Sequence, residues 1–394
     1  MTLNGMKIAI IGAGIGGLAA ARALALRGAK VTVLEQTEAI KEVGAGIQIS
    51  PNGFAVLNAL GLGDNLSAQS VQAQAVNLID YRGKQVTRLD LSRLQNQSYF
   101  FLHRSDLIAI LADGARQAGA KLRLLQHVER ISTGEKPVVH LANGAEFKAD
   151  LVIGADGLHS VVRTAINGTS WPFFTNQVAW RTIVPNTFDR GPEVQLHMGP
   201  HRHLVSYPIR SGEYLNIVAV QERAAWAEES WSQKDDPTTL QAAFSDFCPE
   251  AQQMLSQVKD VNLWGLFRHA VAPLWYADNV TLLGDAAHPT LPFMAQGASM
   301  ALEDAWVLAD CLERVGTLKD RLSNYQSLRE HRTRKIVDTA SGNAWKYHLS
   351  FPPLRWAAHS AMRLGGRFAP DKLLHQFDWI YNHDVTQDTP ASPR

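Results

Sequence analysis

Cysteine is nearly absent from this chain: Cys248 and Cys311 are the only two in 394 residues. That excludes a disulfide framework or a cysteine-rich metal site, and it fits a reducing cytoplasm. Charge of one sign is lacking too. The 38 Lys and Arg offset 37 Asp and Glu to a net +1, and no long basic run occurs, so no nucleic-acid partner is expected. No uninterrupted apolar stretch reaches about 18 residues, the length a membrane-spanning helix needs. The apolar run from Ile8 to Ile15 follows Lys7 and superficially resembles a signal peptide. Glycines break it and it enters a glycine-rich turn, so a buried parallel strand explains it better. The histidines form no spaced ligand cluster, so no metal is expected.

What is present is a globular composition, 46% hydrophobic and 19% charged. The length allows two domains at roughly 100–200 residues each. Met6–Ile11 reads as a buried strand, a helix follows from about Gly16 to Arg27, and Lys30–Leu34 is a second strand. Gly28 sits where a helix-terminating glycine belongs. Strand-like runs at Val76–Tyr81 and Lys84–Leu89 flank an Arg82-Gly83 turn, Leu107–Ala118 reads as helix and Leu122–Leu125 as strand. From Trp171 to Leu266 the pattern is strand after strand, with candidates at Val178–Val184, Glu193–Met198, His203–Tyr207 and Tyr214–Gln221. Strands without intervening helices predict an antiparallel sheet inserted in an α/β frame. Val280–Leu283 is again a buried strand, Gly297–Val315 a long helix, and Tyr325 onward helical before a tail at Asp388–Arg394. The expected fold is α/β: a Rossmann-like domain built from 1–73, 97–170 and 268–340, interleaved with a mostly antiparallel sheet domain at 74–96 and 171–267. C-terminal helices and the tail fill 341–394.

Gly12-Ala13-Gly14-Ile15-Gly16-Gly17 gives G-x-G-x-x-G between strand and helix. Glycines permit a tight turn and close approach of a pyrophosphate, and the helix N-terminus offers unpaired N–H groups to the anion. Glu35 ends the second strand, placed to accept hydrogen bonds from ribose hydroxyls. The unit alone does not choose between NAD and FAD. Two further strands run into acid-bearing turns: ADLVIGADGLHS (Ala149–Ser160) with Asp156-Gly157, and VTLLGDAA (Val280–Ala287) with Gly284-Asp285. For each acid, capping a helix and holding a ligand are equally good readings.

Taken together, these residues resemble the group A flavoprotein monooxygenases, the para-hydroxybenzoate hydroxylase-like family. The glycine unit with Glu35, the Asp-Gly motif and the Gly-Asp motif match in order across nearly the whole chain. Arg104, in HRSDL, and Tyr325, Arg329 and Arg332 also look like family positions. The resemblance implies FAD as cofactor and NAD(P)H as transient reductant, with no separate nucleotide domain. It places Gly12, Gly14 and Gly17 at the FAD pyrophosphate, Glu35 at the ribose, Asp285 at the ribityl chain and Arg104 near the phosphates. It implicates Asp156 in both FAD and reduced-nucleotide binding, and it sets Pro292 to Gly297 beside the flavin ring. PTLPFMAQGASMALEDAW, VGAGIQISPNG (Val43–Gly53) and HLVSYPIR (His203–Arg210) look most like the salicylate hydroxylase and 3-hydroxybenzoate 6-hydroxylase branch.

The activity so implied is NAD(P)H- and O2-dependent hydroxylation of a small hydroxybenzoate-like or hydroxypyridine-like ring, through a flavin C4a-hydroperoxide. A phenol reacts better as phenolate, so a base beside its hydroxyl is expected. His203 is the first candidate and Tyr207 the second, four residues apart on one strand and so on one face. Arg181 is a candidate to face the flavin or a substrate carboxylate, with a plain salt bridge an equally good reading, and Gln296 is a candidate for a substrate hydrogen bond. His288 reads as structural. Alternatives are a related oxygenase acting on a non-phenol, a non-oxygenating flavoprotein reductase, and an FAD-binding sensory protein. The chain is expected to work as a monomer or homodimer, with 344–374 a possible dimer surface.

Overall fold

The computed structural model describes residues 3–40, 45–94, 98–224 and 234–387. The expected tail at Asp388–Arg394, and the Val43-Gly44 start of one motif, lie outside the described residues.

The fold is mixed α/β and turns on two sheets. The first has six strands in the order Tyr276–Ala277, Val280–Leu282, Leu151–Gly154, Lys7–Ile11, Lys30–Leu34, Lys121–Arg123. Its pairings are parallel apart from the edge hairpin Tyr276–Ala277 with Val280–Leu282. Lys7–Ile11 and Leu151–Gly154 are almost continuously buried because helices cover both faces. The helix Ile15–Leu26 follows the first strand with small Ala19, Ala20, Ala21 and Ala23 inward, which lets it lie close on the sheet. The helix Gly297–Glu313 packs beside it, and Gly16 makes the contact possible: a Cβ there would meet Leu283 Cδ1 at 2.5 Å and Ala301 Cβ at 3.2 Å.

The second sheet has eight strands in the order Lys234–Asp235, Val261–Arg268, Phe173–Pro185, Tyr214–Glu222, Arg202–Ile209, Glu193–Gly199, Ala75–Asp80, Gln85–Asp90. The chain thus leaves the nucleotide sheet for Ala75–Asp90, returns, and leaves again at Phe173. One pairing, Glu193–Gly199 with Ala75–Asp80, is parallel, as the long return between them demands.

The middle region is not strands alone. Two short helices, Pro237–Ala243 and Pro249–Leu255, interrupt it. Each begins with proline at its first turn, where no N–H is needed, and Asp236 accepts from Thr238 N–H at 2.8 Å to cap the first. Their apolar residues Leu240, Phe244, Met254 and Leu255 close over Trp180, Leu204, Ile217 and Ala219 on the back of the sheet. Alternation along the strands then turns Ala179, Arg181, His203, Tyr207, Asn216, Val218 and Val220 to the opposite face. Two small sheets were also not foreseen: the meander Val128–Ser132, Val138–Leu141, Glu146–Lys148, and Gly46–Ile49 with Phe100–His103 and Val71–Gln72. Beyond them run the long helix Leu318–Tyr347 and the helix Pro352–Phe368. Among the described residues no helix is long and apolar enough to cross a membrane.

Candidate active site

The glycine turn does two jobs. Gly12 has φ +100°, and a Cβ on it would sit 2.5 Å from the Ala155 carbonyl oxygen, while one on Gly17 would collide with the Gly12 carbonyl. These two glycines let the turn lie against the Leu151–Gly154 strand end and the helix against the turn. Gly14 differs: nothing lies within 4 Å of its Cβ position, so it opens onto free space. No side chain caps the helix that begins at Ile15 and no acid stands in its first turn, so its N–H groups face that space unneutralised. Glu35 accepts from Ala13 N–H at 2.7 Å and from Thr37 N–H at 3.0 Å. A cradle of bare N–H groups beside an open glycine and a carboxylate fits a dinucleotide pyrophosphate and its ribose.

Asp156 is engaged in the fold. It accepts from the Ser160 hydroxyl at 2.5 Å and from Val162 N–H at 3.3 Å, while Ser160 accepts from Arg163 N–H at 2.8 Å, so the pair caps the helix Val161–Asn167. Burial pushes its carboxyl up, against these hydrogen bonds. Arg163 then donates to the carbonyls of Ala270 (2.7 Å) and Ala286 (3.2 Å), tying the Asp-Gly turn to the Gly-Asp turn.

Asp285 stands in that second turn with its side chain reaching solvent. The surrounding protein pushes its carboxyl up, and the charges of His288 and Arg104 pull it back. Arg104 begins the helix Arg104–Gln117, where burial lowers its guanidinium and Asp285 raises it. The fold therefore brings these two together from residues far apart in sequence. The turn itself rests on a buried ion cluster. Asp304 accepts from Gly284 N–H at 2.9 Å and Arg329 Nε at 2.8 Å, and lies 2.5 Å from His288 Nε2. Glu303 next to it meets Arg329 at 2.6 Å and Arg332 at 2.8 Å, and accepts from Asn52 Nδ2 at 2.6 Å. The facing arginines and hydrogen-bond donors outweigh burial and hold both carboxyls at about 2. His288 is thus engaged with Asp304 in the support of this turn.

Gln296 belongs to this support. It is 1% exposed, donates to Ser50 Oγ at 2.9 Å and accepts from Asn52 at 3.1 Å. Its amide holds the turn from Pro292 to Gly297 against the Ser50-Asn52 segment, a different task from the substrate contact expected of it. Within that turn Ala295 takes φ +52°.

On the sheet face turned away from the two short helices, Arg181 lies 4.2 Å over the Trp264 ring. Burial first, and Arg104 second, bring its guanidinium down to about 10, while Tyr207 raises it. Among the described residues no carboxylate pairs with it. Tyr207 is buried against Phe101 with its hydroxyl near Gln48, and burial raises its phenol. His203 shares the strand face but has other neighbours: the rings of Phe293 and Tyr347, and His348, whose Nε2 lies 2.6 Å from His203 Nδ1. Burial keeps His203 well below the usual histidine range. His348, Glu222, Gln48, Asn52 and Glu303 were not singled out from sequence. Only Gln48, Asn52 and Glu303, inside quoted motifs, carried any local signal. The fold also brings His197, Cys248 and Glu250 within 4.8 Å of one another, a grouping invisible in the spacing. Arg190 occupies it, pairing with Glu250 at 2.6 Å and placing its charge beside His197.

An open glycine turn at a helix N-terminus, an exposed acid beside Arg104 and an aromatic-lined sheet face with a half-buried cation suit an FAD-dependent monooxygenase. The chain belongs to the FAD binding domain family, whose profile matches residues 5–340. It is 36% identical to the 3-amino-4-hydroxybenzoate 2-monooxygenase of Streptomyces cremeus, over 88% of this chain and 89% of that one. It is 34% identical to the 3-hydroxybenzoate 6-hydroxylase of Polaromonas naphthalenivorans, over 96% of each. Among solved structures it superposes with a TM-score of 0.83 on Klebsiella pneumoniae HpxO complexed with FAD and uric acid, at 26% identity over 95% and 97% of the two chains. The protein is a group A aromatic monooxygenase: FAD is its cofactor, reduced by NAD(P)H as is typical of the family, and small aromatic compounds are its substrate class.

Proposed function

We propose that this enzyme hydroxylates a small phenolic ring that also bears a carboxylate, of the hydroxybenzoate or hydroxypyridine kind. The observation that carries this reading is Arg181: a half-buried cation, stacked on Trp264, its Nε enclosed without a hydrogen-bond partner and with no carboxylate paired to it among the described residues. A guanidinium partly withdrawn from water without a counter-ion is unfavourable, and a ligand carboxylate in bidentate contact would relieve that cost.

Bound FAD, once reduced, supplies the activated oxygen. The chain's residues divide the remaining work. The N–H groups behind Gly12, Gly14 and Gly17 take the pyrophosphate, Glu35 the ribose, Asp285 the ribityl hydroxyls, and Arg104 balances the phosphates. Asp156 holds the turn facing the nucleotides. Pro292 and Gly297 bracket the segment that faces the ring system. Arg181 anchors the substrate carboxylate. His203 Nε2, which no hydrogen bond among the described residues occupies, takes the phenol proton and raises the ring's nucleophilicity. Tyr207, held neutral by burial, donates a hydrogen bond. The division into nucleotide segments 1–73, 97–170 and 268–340 and sheet segments 74–96 and 171–267 follows from the same reading. We further infer work in the cytoplasm as a monomer or homodimer, without nucleic acid or membrane; the exposed Trp356, Leu364 and Phe368 support the dimer.

The test is NAD(P)H oxidation by the holoenzyme with a panel of rings, scored together with product mass. Phenols with a carboxylate should stimulate oxidation and gain one oxygen atom. Turnover confined to carboxylate-free rings or to urate would overturn the reading.

A further inference from the structure

The candidate base does not stand alone. His203 Nδ1 lies 2.6 Å from His348 Nε2, His348 Nδ1 lies 2.9 Å from Glu222 Oε1, and Glu222 Oε2 lies 2.6 Å from His201 Nδ1. Along this line exposure rises steadily. His203 is 2% exposed and His348 4%, whereas the Glu222 side chain is 39% and the His201 side chain 62% exposed. Main-chain bonds hold the parts in register: His201 N–H donates to the His348 carbonyl at 3.1 Å, and Glu222 N–H to the His201 carbonyl at 2.9 Å. The line therefore crosses from the substrate face of the sheet to its rim, using the end of the long helix and the turn between two strands.

We propose that His348 and Glu222 form a proton relay that carries the substrate's phenolic proton from His203 to solvent, with His201 holding the outer carboxylate oxygen in place. It rests on the reading of His203 as the base.

The polarity of the relay follows from its outer end. A carboxylate can only accept, so His348 must present Nδ1–H to Glu222, which leaves its Nε2 as an acceptor. His203 must then present Nδ1–H to His348, which leaves Nε2 as the lone pair facing the substrate. Glu222 thus sets the tautomer of a ring two residues away, and sets it in the form a base needs. On reaction the phenol O–H breaks as the His203 Nε2–H bond forms. His203 Nδ1–H passes to His348 Nε2, and His348 Nδ1–H passes to Glu222. Glu222, whose Oε2 already accepts from His201 Nδ1–H, hands the proton to water. Each ring gains one proton and loses one, so no imidazolium has to persist beside Phe293 and Tyr347, where burial would penalise it. No oxidant or reductant is involved. Tyr347, whose ring centroid lies 5.4 Å from that of His203, stays neutral because burial pushes its phenol up to about 12.

The experiment uses the FAD-loaded enzyme and 4-hydroxy-3-nitrobenzoate, whose phenolate absorbs in the visible. Stopped-flow pH jumps measure how fast the bound probe loses its proton, and titration measures its dissociation constant. In His348→Gln and Glu222→Gln, deprotonation should slow at least roughly tenfold while the dissociation constant moves less than about threefold. Glu222 sits at the rim, so its variant supplies the test if the buried His348 variant fails to fold. His203→Gln should abolish phenolate formation. If His203→Gln does so while both relay variants match wild type, the relay is wrong and the base survives. If His203→Gln forms phenolate normally, the base reading fails, and the relay with it.

Discussion

The backbone N–H of Ala13 donates to the Glu35 carboxylate at 2.7 Å. The acid at the end of the second strand therefore braces the glycine turn, besides the ribose contact proposed for it. Removing it should cost cofactor affinity twice, through a lost ribose contact and a loosened turn. Glu35→Ala should raise the FAD dissociation constant roughly tenfold or more, and Glu35→Gln, which keeps one acceptor, should lie between it and wild type. Flavin fluorescence titration of the apoprotein checks both.

The glycines of the same turn separate stability from binding. Gly12→Ala forces a Cβ against the Ala155 carbonyl at a positive φ. It should destabilise the apoprotein by at least about 2 kcal/mol. Gly14→Ala meets nothing in the protein, so thermal unfolding of the apoprotein should change by under about 0.5 kcal/mol. FAD binding should nevertheless fall, because the new methyl enters the space in front of the helix N-terminus. Equal loss of stability in both variants would count against this assignment of tasks.

Acid should unfold the protein through Glu303 and Asp304. Both carboxyls are held at about 2 in the fold, below the usual values of 4.5 and 3.8. A depressed folded value means the stabilisation is complete above about pH 4.5 and drains away as pH falls toward 2. Chemical denaturation between pH 6 and pH 3 should show that slope. Asp304→Asn leaves Arg329 and His288 short of their anion. It should destabilise the protein by about 3–5 kcal/mol and flatten the slope.

Arg181 offers the test of substrate class. Arg181→Gln should raise KM for a carboxylate-bearing phenol roughly tenfold or more, with a smaller effect on kcat. FAD content should not change. A matched ring without the carboxylate should show no difference between variant and wild type.

The legibility of the sequence followed the range of the interactions involved. Lys7–Leu34 was readable because strand, glycine turn, helix and acid follow one another within a single unit. Its glycines report local facts, a positive φ at Gly12 and a bare approach at Gly14. Alternation likewise revealed the strands at Val178–Val184 and His203–Tyr207. The helices at 237–255 were missed because their proline starts resemble turns, and their apolar faces acquire meaning only against the back of the sheet.

Sequence by itself determined the cofactor and the frame: motifs in register carry the family likeness, since short-range backbone geometry, such as the positive φ at Gly12, shapes each turn. Tertiary structure decided what individual side chains do. It turned Gln296 inward and committed Asp156 to a helix cap. It set Arg181 over Trp264 without a carboxylate, and joined His203 to His348 across 145 residues of chain. No spacing rule could announce those partnerships, because burial and hydrogen bonding between distant segments exist only once the two sheets and the long helix have closed on one another.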